Sequence, residues 1–581
     1  MRCGEQGEDP PEGNTTPGCY AAAKYARART YSWRDAWAGV NAKDAVCVTV
    51  GKGATEHGKQ TEYMEATRVD RRSVLMSASA LAAVLGLGMR VNGTSPAMAE
   101  PAIDATAAFT GDLVKNLARD LAQSDFDSPS LTLPKAFSQL SYDQFRDVRF
   151  RTDQAIWRGE AIDFELQLLP MGWLYTTPVE IWLVNDGMAR RLKADGNLFS
   201  IGPLIKDADP AAPYGFSGFR VHGPINRPDY FDEYVVFQGA SYFRAVGRGH
   251  LYGLSARGLA VNTARPGGEE FPLFRSFWIE RPAPGERAIT VHALLDSESV
   301  TGAYRFKAEP GEATVIDVEA TIFPRRPLKH VGLGPLTSMY LHGPGHHRID
   351  DDFRPAVHDS DGLAILNGNN ECIWRPLTNP RTLQTSAFLD KNVKGFGLCQ
   401  RARSFHSFED LEARYEKRPT VWIEPKGTWG SGYVELIEIP TGEEIHDNIV
   451  AYWKPAKSLD AGVPFSFGYR MFWTNTLPIA WSGASTVATR VGRGKREETT
   501  KFVVDFAGPA VSGKQQVPVA VVTANPGTIL DVSVHDNPEV NGVRVSFELD
   551  PGGTELCELR LALRLGDQQI SETWLYRWTK S

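Results

Sequence analysis

The stretch FHSFEDLEARYEKRPTVWIEPKGTWGSGYVELIEIPTGEEIHDNIVAYW, Phe405 to Trp453, decides the fold class. Its runs GYVELIEI and NIVAYW are short, rich in β-branched and aromatic residues, and bounded by Gly and Pro, which is the pattern of strands. Set among these strands are Glu409, Asp410, Glu412, Glu424, Glu435, Glu438, Glu443, Glu444 and Asp447, interleaved with Tyr415, Trp422, Trp429, Tyr433, Tyr452 and Trp453. Carboxylates among aromatic rings suit a sugar-binding cleft. Rings stack on the apolar faces of pyranose units, and carboxyls bond hydroxyls or move protons at a glycosidic oxygen. The competing reading is a twisted sheet whose solvent face is acidic.

The same texture extends both ways. AIDFELQLL, VEIWLV, AITVHALLD, ATVIDVEATIF, FSFGYRMFW, TKFVVDF, VPVAVVTA, VRVSFELD and CELRLALRL follow one another with turn signals between them. This order reads as antiparallel sandwiches and not as βαβ units. Helical periodicity is confined to Ala102–Gln123, which contains DLVKNLARDLAQ, and to Ser141–Arg149. Between Phe472 and Lys501 the chain loses aromatics and gains Gly, Ser, Thr and basic residues, which marks a boundary. The downstream part has the size and strand pattern of an immunoglobulin-like sandwich. The expected division is 1–63 leader, 64–99 signal, 100–475 large β-sandwich, 476–488 connector and 489–581 small sandwich.

The chain has 581 residues, 23% of them charged, and a net charge of −7, with no basic run interleaved with aromatics. That excludes a nucleic-acid binder. Arg71 and Arg72 precede the Ala/Leu/Gly-rich run Val74 to Met89 and the small-x-small site Ala97-Met98-Ala99. These features describe a cleaved twin-arginine export signal, the apolar run being short of the ~20 residues that span a bilayer. The expected location is the periplasm. Residues 1–63 precede Met64 and are expected to be an over-extended start or a disordered leader. Cys3, Cys19 and Cys47 lie there, leaving Cys372, Cys399 and Cys557, which make neither a disulfide framework nor a metal spacing.

Other candidates are weaker. HGPGHHRIDDDFRPAVHDSDG, His342 to Gly362, lacks the rigid helical placement of a zinc motif, and its Asp359-Ser360-Asp361-Gly362 lacks the glutamate that closes a calcium loop. It reads as a turn between strands that carries a functional carboxylate. GLSARGLA, Gly253 to Ala260, reads as structural, and no GxSxG context is present. No cofactor or metal is expected.

SARGLAVNTARPGGEEFPLFRSFWIERP, GPLTSMYLHGP, FRPAVHDSDGLAI, WRPLTNP and the long motif after Phe405 resemble the G/D family of osmoregulated periplasmic glucan biosynthesis proteins, over about residues 100–581. The twin-arginine pair points to the D branch. The resemblance implies a mainly β chain with a large galactose-mutarotase-like sandwich followed by a small immunoglobulin-like one. It implies a role in shaping the β-1,2-linked glucan backbone by inverting endo-cleavage or transglycosylation, with Asp447 as general acid and Asp359 as base. Glu444 and Tyr415 would line the site, and Trp422, Trp429, Asp361, Trp374 and Arg375 are further candidates for sugar binding. Expected partners are β-1,2-glucan itself and periplasmic or inner-membrane glucan-synthesis proteins. The residues agree with the acid: Asp447 lies between Glu443 and Glu444 and the apolar NIVAYW run, and like charge with partial burial raises a carboxyl pKa. The alternative is a non-catalytic glucan-binding factor that guides nascent polymer to partner proteins.

Overall fold

A computed structural model describes residues 102–206, 208–209, 214–346, 351–513 and 516–580. The expected leader and export signal lie outside these residues.

Among the described residues two large sheets dominate, one of sixteen strands and one of ten. The ten-stranded sheet runs Gln384–Lys391, Ser431–Glu438, Ile449–Pro455, Val331–Ser338, Ser255–Arg257, Tyr242–Ala245, Tyr230–Gln238, Phe216–Arg227 and Glu165–Pro170, with Ala260–Val261 off this path. Its middle strands come from distant parts of the chain, so loops far apart in sequence meet at one sheet end. The larger sheet includes the meander Leu273–Glu280, Ile289–Asp296, Val300–Glu309 and Thr314–Pro324, then Phe465–Thr474 and Thr420–Lys426.

Alternation along the strands makes the sandwich. From one sheet Phe243, Ala256, Leu336 and Ala451 enter a common core with Phe277, Leu295, Phe306 and Ile316 of the other. Each large side chain so buried contributes about 1.5–3 kcal/mol of transfer free energy. Residues one step along the same strands, among them Arg244, Arg257, Thr337 and Val450, therefore project from the opposite face. That face carries the site.

The helix expected over Ala102–Gln123 is shorter. Ile103–Ala108 is instead an edge strand paired with Met188–Leu192, and the helix spans Leu113–Leu121. The alternating IDATAA run satisfies its backbone on a free sheet edge, a gain that a sequence window cannot register. Ser141 opens the second short helix, Tyr142–Arg146, with a capping box to Gln144.

The carboxy-terminal part is a sandwich, but one of its two layers continues the large sheet. Thr573–Thr579 pairs in parallel with Cys372–Pro376 and carries Leu556–Leu565 and Val519–Asn525 beside it. The other layer is the four-stranded sheet Ser485–Arg493, Thr500–Ala507, Gly542–Asp550 and Thr528–Asn537. The large-sandwich strand ends at Thr474 and the next begins at Ser485, inside the expected connector. Trp374 and Trp422 pack in one cluster with Phe502, Phe547 and Trp574, so the two sandwiches share apolar core. Cys372, Cys399 and Cys557 are free, buried thiols.

Candidate active site

Asp447 stands just ahead of the strand Ile449–Pro455. Its neighbour Asn448 fixes the loop: its amide nitrogen donates to the carbonyls of Tyr340 and Ile439, and its amide oxygen accepts from Tyr340 N–H at 2.8 Å. Asp359 follows the two-residue strand Val357–His358, which pairs with Tyr340–His342. His358 stacks on Tyr340 at 5.2 Å, and Asp359 N–H donates to the Met339 carbonyl. Both aspartates are thus anchored on the Met339–His342 segment, although they lie far apart in the chain.

The two carboxyls are close enough to act on one another. Burial pushes the Asp447 carboxyl up to about 7, with the charge of Asp359 adding to the rise and Arg244, Arg257 and Arg418 opposing it. Oδ2 of Asp447 is buried and accepts no hydrogen bond, with Arg244 Nη2 at 4.0 Å. Arg418 Nε lies 3.5 Å from Asp359 Oδ1 and so serves both acids. Asp447 is 7% exposed and Asp359 6%.

A ring of polar side chains completes the site. Arg244 donates to Ser255 Oγ at 2.5 Å, and Arg257 donates to Thr337 Oγ1 and Glu269 while lying over the Tyr242 ring. Arg257 and Tyr242 are cross-strand partners, which places them on one face beside Asp447. Tyr415 donates its hydroxyl to Glu444 Oε2 at 3.2 Å, and burial together with the charges of Glu444 and Asp359 holds its phenol protonated. Arg354 binds Glu444, Asp410 and Asp352. His358 is pushed down to about 3 by burial and is neutral.

Asp447, Asp359, Glu444 and Tyr415 are therefore brought together. The remaining candidates are not. Trp422 is wholly buried in the core between the sandwiches, its Nε1 donating to Glu424, so its ring has no face for a sugar. Trp374 lies in the same core, under the Arg401 guanidinium at 3.6 Å. Trp429 packs on Trp453, Phe467 and Tyr469 against the main core. Arg375 is buried and paired with Glu438, a carboxylate that also accepts from Thr378. Asp361 accepts from the backbone N–H groups of Arg401 and Ala402, which ties its turn to the distant chain after Gly395–Cys399, and burial lifts it to about 6. Trp374, Trp422 and Arg375 form core and an ion pair because the strands that carry them are covered on both faces, while Trp429, half-buried in the turn after Thr420–Lys426, rests its ring on the main core.

The sequence reading missed Arg244, Arg257, Arg418, Arg354 and Asn448. Arg257 sits inside GLSARGLA, read as structural, and its position beside Asp447 comes from strand pairing alone. Among apolar side chains, Phe353, Leu411 and Ile445 are exposed on the stretches that carry Arg354, Asp410 and Glu444.

A family model described as "Periplasmic glucan biosynthesis protein, MdoG" matches residues 109–578. The chain belongs to this family. It is 50% identical over 481 residues to "Glucans biosynthesis protein G" of Vibrio cholerae, covering 82% of this chain and 87% of that one. The protein of the same name in Shewanella frigidimarina is 49% identical over 477 residues, covering 82% and 85%. That of Rhodopseudomonas palustris is 47% identical over 512 residues, covering 88% of this chain and 100% of the relative. As a member of the MdoG family, the chain is a periplasmic protein of glucan biosynthesis.

Proposed function

We propose that this MdoG-family chain cleaves, or transfers within, β-1,2-linked glucan with inversion, reaching the periplasm by the twin-arginine route as a D-branch member. Asp447 gives its proton to the glycosidic oxygen as the C1–O bond breaks. Water attacks C1 from the opposite side and yields its proton to Asp359. Inverting pairs stand ~6.5–9.5 Å apart to admit that water. The observation that carries the reading is the Asp447 carboxyl: buried, with an oxygen that accepts no bond, and lifted to about 7 beside a second carboxylate. A group of that kind holds a proton near neutrality, and its second oxygen is not committed to any protein donor.

The test is incubation of the purified protein with linear β-1,2-glucan, with products followed by chromatography and their anomeric form by NMR. Shortened chains with an α-configured new reducing end are expected. Asp447→Asn should lower turnover about 10³-fold or more while retaining glucan affinity. Absence of cleavage by the wild type, with affinity intact, would reject the catalytic reading.

The low exposure of both aspartates favours a second reading, a non-catalytic factor that binds glucan over this face and presents it to membrane-bound synthesis proteins. Under it, Asp447→Asn leaves glucan production in cells unchanged.

A further inference from the structure

The observation that the mechanism above does not use is the arrangement around Arg354. Its guanidinium bonds three carboxylates from three separate stretches: Asp352 at 2.8 Å, Asp410 at 3.0 Å and Glu444 at 2.6 Å. Each stretch leads directly to a residue of the site. Arg354 and Asp352 precede Asp359, Asp410 precedes Tyr415, and Glu444 precedes Asp447. The link through Asp410 is itself tight, because its other oxygen accepts from the N–H groups of Glu412 and Ala413 and so shapes the turn that presents Tyr415. Glu444 also accepts from the Tyr415 hydroxyl. On the far side Asp352 reaches His342, on the strand that pairs with Val357–His358.

We infer that Arg354 is a positioning residue, the clasp that holds the loops bearing the acid, the base and Tyr415 in mutual register. A planar guanidinium suits this task and an ammonium does not, because several donors in one fixed plane set the angles between three partners as well as their distances. Three members of the cluster are largely withdrawn from solvent, with side-chain exposures of 15% for Arg354, 11% for Asp410 and 17% for Asp352, while Glu444 at 37% closes it on the solvent side. Loss of the cation would leave three carboxylates facing one another, and the loops would separate. The inference rests on the glucan-cleaving reading for its kinetic consequence but not for its structural one.

The test compares wild type with Arg354→Met and Arg354→Lys by hydrogen exchange, glucan affinity and cleavage of linear β-1,2-glucan. Arg354→Met should speed amide exchange selectively in 411–416 and 441–448, with the global melting transition retained. Its kcat should fall about 30-fold or more with KM changed less than about 3-fold, because alignment and not binding is lost. Arg354→Lys should recover part of the loss, and adding Asp410→Asn to Arg354→Met should cost little more than Arg354→Met alone. If Arg354→Met does not fold, Asp410→Asn and Glu444→Gln each remove one arm and should move exchange and kcat the same way. Unchanged exchange in both loops overturns the clasp, as does a rise in KM with kcat intact. A wild type that cleaves nothing, together with faster exchange in the variant, rejects the catalytic reading and leaves the clasp standing.

Discussion

Burial lets Asp447 hold a proton near neutral pH, and that has a consequence for stability whatever the group's chemistry. Its pKa of about 7 in the fold compares with about 3.8 in an exposed carboxyl. Below pH 4 both folded and unfolded chains carry the proton, and the group is neutral towards stability. Between about 4 and 7 the unfolded chain ionises first, so stability falls, by up to about 4 kcal/mol once both are ionised. Asp447→Asn should therefore melt several degrees higher than wild type at pH 8, with the difference fading towards pH 4, as calorimetry across that range would show. Under the proposed mechanism the same group should set the alkaline limb of the cleavage profile, with turnover falling above about pH 7. A limb that does not move in Asp447→Glu or disappear in Asp447→Asn would contradict the acid assignment. The family motif singled out this aspartate in the sequence, and its acidic and apolar neighbours agreed with that choice. The arginines that oppose its pKa were not legible, because they arrive from other strands.

Strands in this molecule are fitted together through glycines under aromatic rings. A Cβ at Gly395 would lie 2.3 Å from Trp422, at Gly362 2.1 Å from Trp374, and at Gly432 2.6 Å from Trp453. The rings lie flat over the neighbouring strand, and this is why Trp374 and Trp422 fill the layer between the sandwiches and not a sugar groove. Gly395→Ala should displace the Trp422 ring and destabilise the protein by about 1–3 kcal/mol, measured by urea denaturation with tryptophan fluorescence. Alternating apolar runs allowed most strands to be read in advance. Which aromatic residue faces a ligand and which faces a second layer does not follow from one strand, since both occupy the same phase of the alternation. The edge strand Ile103–Ala108 differs from the helix its sequence suggests for a related reason: its backbone bonds go to Met188–Leu192, far along the chain.

Across the whole molecule the two sandwiches depend on each other. Arg401, in the large sandwich, forms a forked pair with Glu572 of the small one at 2.8 Å and donates to the Thr486 carbonyl, while Glu572 also accepts from Thr486 N–H. Glu572 is almost wholly enclosed, so Arg401→Ala, which strands that carboxylate, should cost about 3–5 kcal/mol. A chain ending after Thr474 would uncover Trp374 and Trp422 and break the parallel pairing of Cys372–Pro376. It should be insoluble or lack a cooperative melting transition; a soluble fragment with the large sandwich's own transition would contradict the shared core.

By itself the sequence determined the β-sandwich class and the family, because alternation, turn residues and long motifs are local and survive without coordinates. It also singled out Asp359, Asp447, Glu444 and Tyr415. Only the tertiary structure decided that these four meet, that Trp374, Trp422 and Arg375 belong to the interior, and that Arg244, Arg257, Arg354 and Arg418 surround the acids. Strand order in a sheet and the burial of a charge depend on contacts between residues hundreds of positions apart, and no window along the chain contains them.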